Sequence, residues 1–324
     1  MKKLSKYTLS FMLAAGLLAG CGSDKAAPEK EEKANQPKES EQAAFPVTVK
    51  DADGKEVVIE EKPKRIVSLI PSNTEIAYEL DLDKEIVGVS DNDNYPKEVS
   101  AKEKVGGMEY NIEKIIGLDA DLVLAHGSSA HNSKEGFKQL EEAGIDVLVV
   151  NDAQNFDEVY DSIKMIGKAT GTSDKAEDIV TDMKEDLTEI SEKAETIKKE
   201  EEKNVFIEVS PAPEIYTPGK NTFMQEMLDL IHAKNAAADQ DGWGQMTEEA
   251  IIKKNPDVII TTHGYYTQKP VEEVLSRKGW ETITAVKNKD VHDVHADLVN
   301  RTGPRLVEGV EELAEAIYPD VFKK

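Results

Sequence analysis

Among 324 residues there is one cysteine, Cys21, and there are only four arginines, Arg65, Arg277, Arg301 and Arg305. A lone cysteine excludes any intramolecular disulfide. So few arginines leave little of the forked-donor chemistry that suits multiply anionic ligands. Positive charge is scarce altogether: 40 Lys and Arg face 64 Asp and Glu, a net charge of −24. Nucleic acid and anionic lipid surfaces are therefore poor partners. The apolar run Leu9 to Leu18 is too short to cross a membrane permanently. Neither Gly-x-Ser-x-Gly, a Walker loop nor His-Glu-x-x-His occurs, which removes the common hydrolase and nucleotide-binding signatures.

That short run follows Lys2, Lys3 and Lys6, the make-up of an export signal over residues 1–20. It closes on Leu18, Ala19, Gly20 and Cys21, which resembles the bacterial lipobox, so Cys21 is expected to be lipidated and to become the mature N-terminus. Removal of the three lysines takes the mature chain to a net charge of about −27. From Gly22 to Ala44 the composition turns to Lys, Glu, Ala, Gln, Ser and Pro without a large apolar residue. Residues 21–44 thus read as a lipid-anchored flexible tether on the outer face of the cell membrane.

Between Ser173 and Lys199 apolar residues fall at Ala176, Ile179, Val180, Met183, Leu187, Ile190, Ala194 and Ile197, a single helical stripe. A helix of that length is roughly 40 Å long. It is flanked by two matching segments. Asn111 to Leu124 and Thr247 to Ile260 each carry a capping residue, Glu two places on, an Ile pair, a polar turn, Asp and then an apolar run. Each reads as a short helix feeding a buried strand. Two copies about the longest helix predict two similar lobes, residues 45–172 and 204–324, joined by a rod over residues 173–203.

The globular body opens on Val47 to Ile59, two alternating runs about Asp53 and Gly54, a hairpin signal. Arg65 to Ile70 reads as a buried strand. Ser72 and Glu75 stand at capping-box spacing for the helix after it. Apolar runs at Ile86 to Val89, Leu122 to Ala125, Val147 to Val150, Val205 to Val209 and Val258 to Thr261 alternate with helical patterns. The fold class is α/β with mostly parallel sheets.

Together these features, with Arg65 to Glu75 and the closing Arg301-x-Gly-Pro-Arg305, resemble the substrate-binding lipoproteins of ABC importers for siderophores and cobalamin, across nearly the whole chain after the tether. The likeness is nearest to the cobalamin-binding members, through Ile86 to Ser90 with Asn94 to Pro96, and through Tyr216 to Lys220. The resemblance implies two Rossmann-like lobes, one rigid helix between them and ligand held in the cleft. It also implies delivery to a permease dimer with a cytoplasmic ATPase, by a monomer that needs no cofactor.

Carried over, the ligand-facing positions are Ser72, Asn73, Asn92, Asp93, Tyr95, Tyr110, His126 and Gly127 in the first lobe. In the second they are Tyr216, Trp243, His263, Asp297 and Arg301. Loops at the carboxyl ends of strands are where open α/β sheets bind ligands. Asn92, Gly107 and His126 depart from the aromatic lining expected for cobalamin, so a ferric hydroxamate siderophore or haem is the alternative ligand. The resemblance assigns Glu113 and Glu249, one per lobe, to permease docking.

Two other chemistries are weaker. His126 and His131, or His292 and His295, invite a metal site, but neither pair has the convergent third and fourth ligands that one needs. Glu113 and Glu249 as a hydrolytic acid and base pair fail on position: both lie in the first turn of a helix, where the dipole keeps a carboxylate ionised.

Overall fold

The computed structural model describes residues 45–323, so Cys21, the export signal and the tether lie outside the described residues. A hairpin of β1 (Val47–Lys50) and β2 (Glu56–Ile59) leads into β3 (Ile66–Ser68), α1 (Pro71–Glu79), β4 (Ile86–Val89) and β5 (Glu103–Lys104). Then come α2 (Ile112–Gly117), β6 (Leu122–His126), α3 (Gly127–Glu142), β7 (Asp146–Val150), α4 (Phe156–Thr170) and α5 (Ser173–Ala194). The second half holds β8 (Asn204–Glu208), β9 (Tyr216–Pro218), α6 (Phe223–Leu230), β10 (Lys234–Asn235), β11 (Trp243–Gln245), α7 (Glu248–Lys254) and β12 (Val258–Thr261). It ends with α8 (Pro270–Ser276), α9 (Thr284–Asn288), β13 (Val291–Asp293), α10 (Ala296–Asn300), α11 (Leu306–Ile317) and α12 (Pro319–Phe322).

Two parallel sheets result, in the order β5-β4-β3-β6-β7 and β10-β8-β12-β13. They share a design that the matched segments foretell. Asn111 caps α2 by accepting from the Lys114 N–H, and Thr247 caps α7 by accepting from the Ala250 N–H. The Asp that opens each following strand ties it to its neighbour. Asp121 accepts from the Arg65 N–H at 3.0 Å and Asp257 from the Asn204 N–H at 2.9 Å, while Arg65 and Asn204 return their carbonyls to the two Asp N–H groups. Each sheet thereby has its central pair, β3 with β6 or β8 with β12, locked in register at the same point.

Three apolar cores organise the body. One lies outside the first sheet, around Val123, Leu140 and Val147; one outside the second, around Phe206, Ile259 and Trp280. The third runs between the sheets. It joins Leu122 and Leu124 of β6 to Val258 and Ile260 of β12 through α4, α5, α6 and α11. The stripe on α5 is buried within it along its whole length, and Ile197, three residues past the helix, is buried there too. Each of its Ile, Val, Leu and Met side chains contributes about 1.5–3 kcal/mol on burial. Gly171 ends α4 at φ 69°, and Gly167 lets α5 approach so closely that an added Cβ would meet the Ala176 Cβ at 2.5 Å.

The fold differs from expectation at two places. α5 stops at Ala194, so it is about 33 Å long. Its last turn tightens where Thr196 donates its hydroxyl to the Lys193 carbonyl, and a short 3₁₀ turn over Lys199–Glu201 follows. Ser72 does not cap α1: Pro71 takes the first helical position and the preceding Ile70 makes no side-chain cap. Glu75, released from the expected capping box, does something else.

Candidate ligand-binding cleft

A cavity of about 420 Å³ opens between the lobes at the carboxyl ends of both sheets. Ser72 and His126 line it from the first lobe, Trp243 and Arg301 from the second. A larger groove of about 840 Å³ runs along the flanks of α4, α5 and α6. It lies away from the strand ends, so the smaller cavity is the candidate site.

His126 ends β6 and caps α3, its Nδ1 accepting from the Ser128 N–H at 3.3 Å with the Ser128 hydroxyl at 2.8 Å. The neutral ring therefore carries its proton on Nε2. Burial holds the His126 imidazole below the ordinary histidine range, against the opposing pull of the Asp152 carboxylate at the cavity wall. Trp243 is 40% exposed and its ring lies 5.6 Å from that of Phe223. Tyr216 lies on β9, which pairs antiparallel with the strand of Trp243, but it stands opposite Gln245; it is exposed and does not line the cavity.

Arg301 crosses the gap between the lobes. Its Nη1 donates to Glu75 Oε1 at 2.7 Å and to Asn94 Oδ1 at 2.8 Å, and its Nη2 lies 2.8 Å from Asp297 Oδ1. Asn94 donates in turn to Asp297 Oδ2 at 2.8 Å. Arg305 donates from Nε and Nη2 to the two oxygens of the same Glu75, at 2.9 and 2.8 Å, with its guanidinium 3.7 Å from the centre of the Tyr95 ring. Glu75 is 2% exposed. On the other flank Glu226 of α6 accepts from the Phe156 N–H at the start of α4, at 2.8 Å.

Several expected contacts are placed elsewhere. His263 is fully buried behind the second sheet, its Nε2 3.2 Å from Glu208 Oε1, and Glu208 also holds Arg277 through two bonds of 2.8 Å. Asn73 is buried and donates to the Ala125 carbonyl at 2.9 Å, which fastens α1 to β6. Asp93 is buried too; burial pushes its carboxyl up, against the Ser90 hydroxyl that donates to it. Tyr110 spends its hydroxyl on Leu69 and Ser129, each at 3.3 Å. Gly127 starts α3 and does not line the cavity, and Asn92 is exposed outside it. Asp297 faces a side pocket that it shares with Asn94 and Tyr265. Glu113 and Glu249 are both exposed in the first turns of α2 and α7.

The sequence reading missed Glu75 as the buried tie between lobes, because its spacing from Ser72 mimics a helix cap. It also missed Phe223 and Asp152, whose places in the wall depend on packing between segments far apart in the chain. Among the described residues no group of three or more His, Cys, Asp or Glu is placed to hold a metal ion, and no helix is long and apolar enough to cross a membrane.

The sequence profile of the periplasmic binding protein family matches residues 66–298. The chain is 59% identical, over the full length of both, to the ABC transporter substrate-binding lipoprotein YvrC of Bacillus subtilis. It is 28% identical to a cobalamin-binding protein of Halobacterium salinarum, over 85% of this chain and 75% of the relative. A solved structure from Staphylococcus epidermidis, described as a possible iron-binding (periplasmic solute-binding) protein, is 41% identical with a TM-score of 0.72, covering 80% of this chain and 100% of that one. All three descriptions are of binding or transport proteins, which supports a non-catalytic role.

Proposed function

We propose a ligand and a docking mode for this chain, which belongs to the periplasmic binding protein family and is an ABC transporter substrate-binding protein: it captures a corrinoid of the cobalamin type between its lobes and delivers it to a permease. The observation that carries the ligand is the state of the arginines. Arg65 is spent on the Leu118 carbonyl, Arg277 on Glu208, and Arg301 and Arg305 on Glu75. The cleft thus presents an imidazole, aromatic faces, hydroxyls, the Gln154 and Asn300 amides and the Asp152 carboxylate to its ligand, with no cation left unpaired. Such a lining suits a bulky ligand rich in neutral amides better than a multiply anionic catecholate. A corrinoid exceeds the 420 Å³ cavity, so part of it stands outside, where it would reach the exposed Tyr216 on the strand paired with that of Trp243. The cobalamin-binding relative supports this reading. A ferric hydroxamate is the second reading; the description of the staphylococcal structure as possibly iron-binding supports an iron ligand without specifying the chelate.

Lipidation at Cys21 would keep the protein on the outer face of the membrane, where Glu113 and Glu249 meet one permease subunit each. Calorimetry decides the ligand. Cyanocobalamin should bind at micromolar affinity or tighter, and Trp243→Ala and Tyr216→Ala should weaken it while keeping the melting temperature. No heat with cyanocobalamin, beside tight binding of a ferric hydroxamate, transfers the assignment to the second reading.

A further inference from the structure

Glu75 is one of two carboxylates that keep a guanidinium of the cleft occupied. Three hydrogen bonds of 2.7–2.9 Å reach it from Arg301 and Arg305, and at 2% exposure no solvent competes for its oxygens. With Asp297 the group holds two negative and two positive side chains, so it is neutral as a unit. Of its members, Arg301 lines the cavity. The other ionisable groups in the cavity wall are His126 and Asp152, and no lysine lies there. An incoming carboxylate could gain strong charge-assisted hydrogen bonds only from Arg301, and would have to compete there with Glu75 on Nη1 and Asp297 on Nη2, the first of them buried and pinned through both oxygens by Arg305.

We infer that Glu75 is a specificity-determining residue: fixed by Arg305, it occupies Arg301, neutralises the one guanidinium that lines the cavity and makes the site discriminate against carboxylate-bearing ligands. The inference rests on the reading of this cleft as the ligand site. It assigns Glu75 a role beyond bracing the lobes, and the two roles separate experimentally. A brace affects stability and lobe spacing for every ligand alike. A charge filter affects the ratio between two ligands of one shape that differ in charge.

Haemin and haemin dimethyl ester are such a pair, since esterification removes two carboxylates and little else. Both are titrated against the full-length protein, Glu75→Gln, Asp297→Asn and the double variant Glu75→Gln with Arg301→Gln, with quenching of tryptophan fluorescence as the readout. The unsubstituted protein should show no preference for haemin over the ester. Glu75→Gln should shift the affinity ratio toward haemin by about tenfold or more, and added salt should reduce the shift. Arg301→Gln in that background should cancel it. Asp297→Asn, which leaves the buried contact with Glu75 intact, should shift the ratio the same way by less, and serves if Glu75→Gln fails to fold. A ratio that stays within about twofold in the folded variants overturns the inference, as does the absence of haemin binding in all of them. Cyanocobalamin is titrated separately: its failure to bind defeats the corrinoid reading and leaves the haemin-to-ester ratio as the measure of Glu75.

Discussion

His126 in the first lobe and His263 in the second follow the same helix, turn, Asp and strand, yet one faces the cleft and the other is sealed behind its sheet. Counted from Asp121 and Asp257, His126 comes fifth and His263 sixth. Side chains alternate along a strand, so one added residue sends the imidazole to the other face. The packing follows that parity: Leu122 and Leu124, with Val258 and Ile260, face the core between the lobes, whereas Val123 and Ile259 face the outer cores. Thr262 is the true counterpart of His126, and Asn300 reaches its hydroxyl at 3.5 Å. His263 instead meets Glu208, which also holds Arg277, and the Tyr266 ring. The repeat thus conserves the frame of each lobe while a single step along the strand decides which lobe supplies a titratable group to the cleft.

The largest effect expected from the symmetric frame concerns docking. Glu113→Arg together with Glu249→Arg should abolish uptake in cells, each change alone acting partially, with ligand affinity and melting temperature intact. Normal transport by the double variant removes the docking role, and strongly unequal single variants break the equivalence of the lobes.

Next comes the group found only in the second lobe. Glu208→Ala leaves Arg277 buried without its main partner and should cost about 3–5 kcal/mol in urea unfolding. Burial alone would raise the Glu208 carboxyl, but hydrogen bonds from Arg277 and His263 bring it below its ordinary value of 4.5. Its contribution is therefore complete above that pH and is lost as acid takes the pH down through the depressed value. A loss under about 1 kcal/mol would mean that Glu273, 3.2 Å from Arg277, takes over.

His126 gives a smaller effect of its own. Because burial lowers it from an ordinary 6.5, the folded state favours the neutral ring. Stability from this group is whole above 6.5 and shrinks as the pH falls below it. His126→Gln should flatten the melting temperature between about pH 7.5 and pH 5. An unchanged slope would place the titration elsewhere. Least of all, Asn111→Ala and Thr247→Ala should cost about 1 kcal/mol each, the same in both lobes. A clear inequality in equilibrium unfolding would show that the two caps are not equivalent.

Much of the frame was legible in the sequence because it is local. Hairpin, strand runs, both caps and the α5 stripe depend on periodicity and on residues within a turn of one another, and β4 and β12 occupy the expected residues. The cleft was legible only in part. Ser72, His126, Trp243 and Arg301 converge, but His263 and Asn73 do not, since facing depends on strand parity and on the partners brought up by distant helices. Glu75 shows the limit most clearly. Its partners lie at Arg301 and Arg305, more than two hundred residues away, and local spacing offered a competing and simpler explanation. The C-terminal end of α5 was overextended because Ile197 continues the apolar stripe after the helical hydrogen bonds have ended.

The apolar core between the sheets has a thermodynamic consequence. With α4, α5, α6 and α11 embedded in it, neither lobe possesses an inner face of its own, and separating them would expose that face of both. Residues 45–323 are therefore expected to melt as one cooperative body rather than lobe by lobe, which calorimetry would show as a single transition.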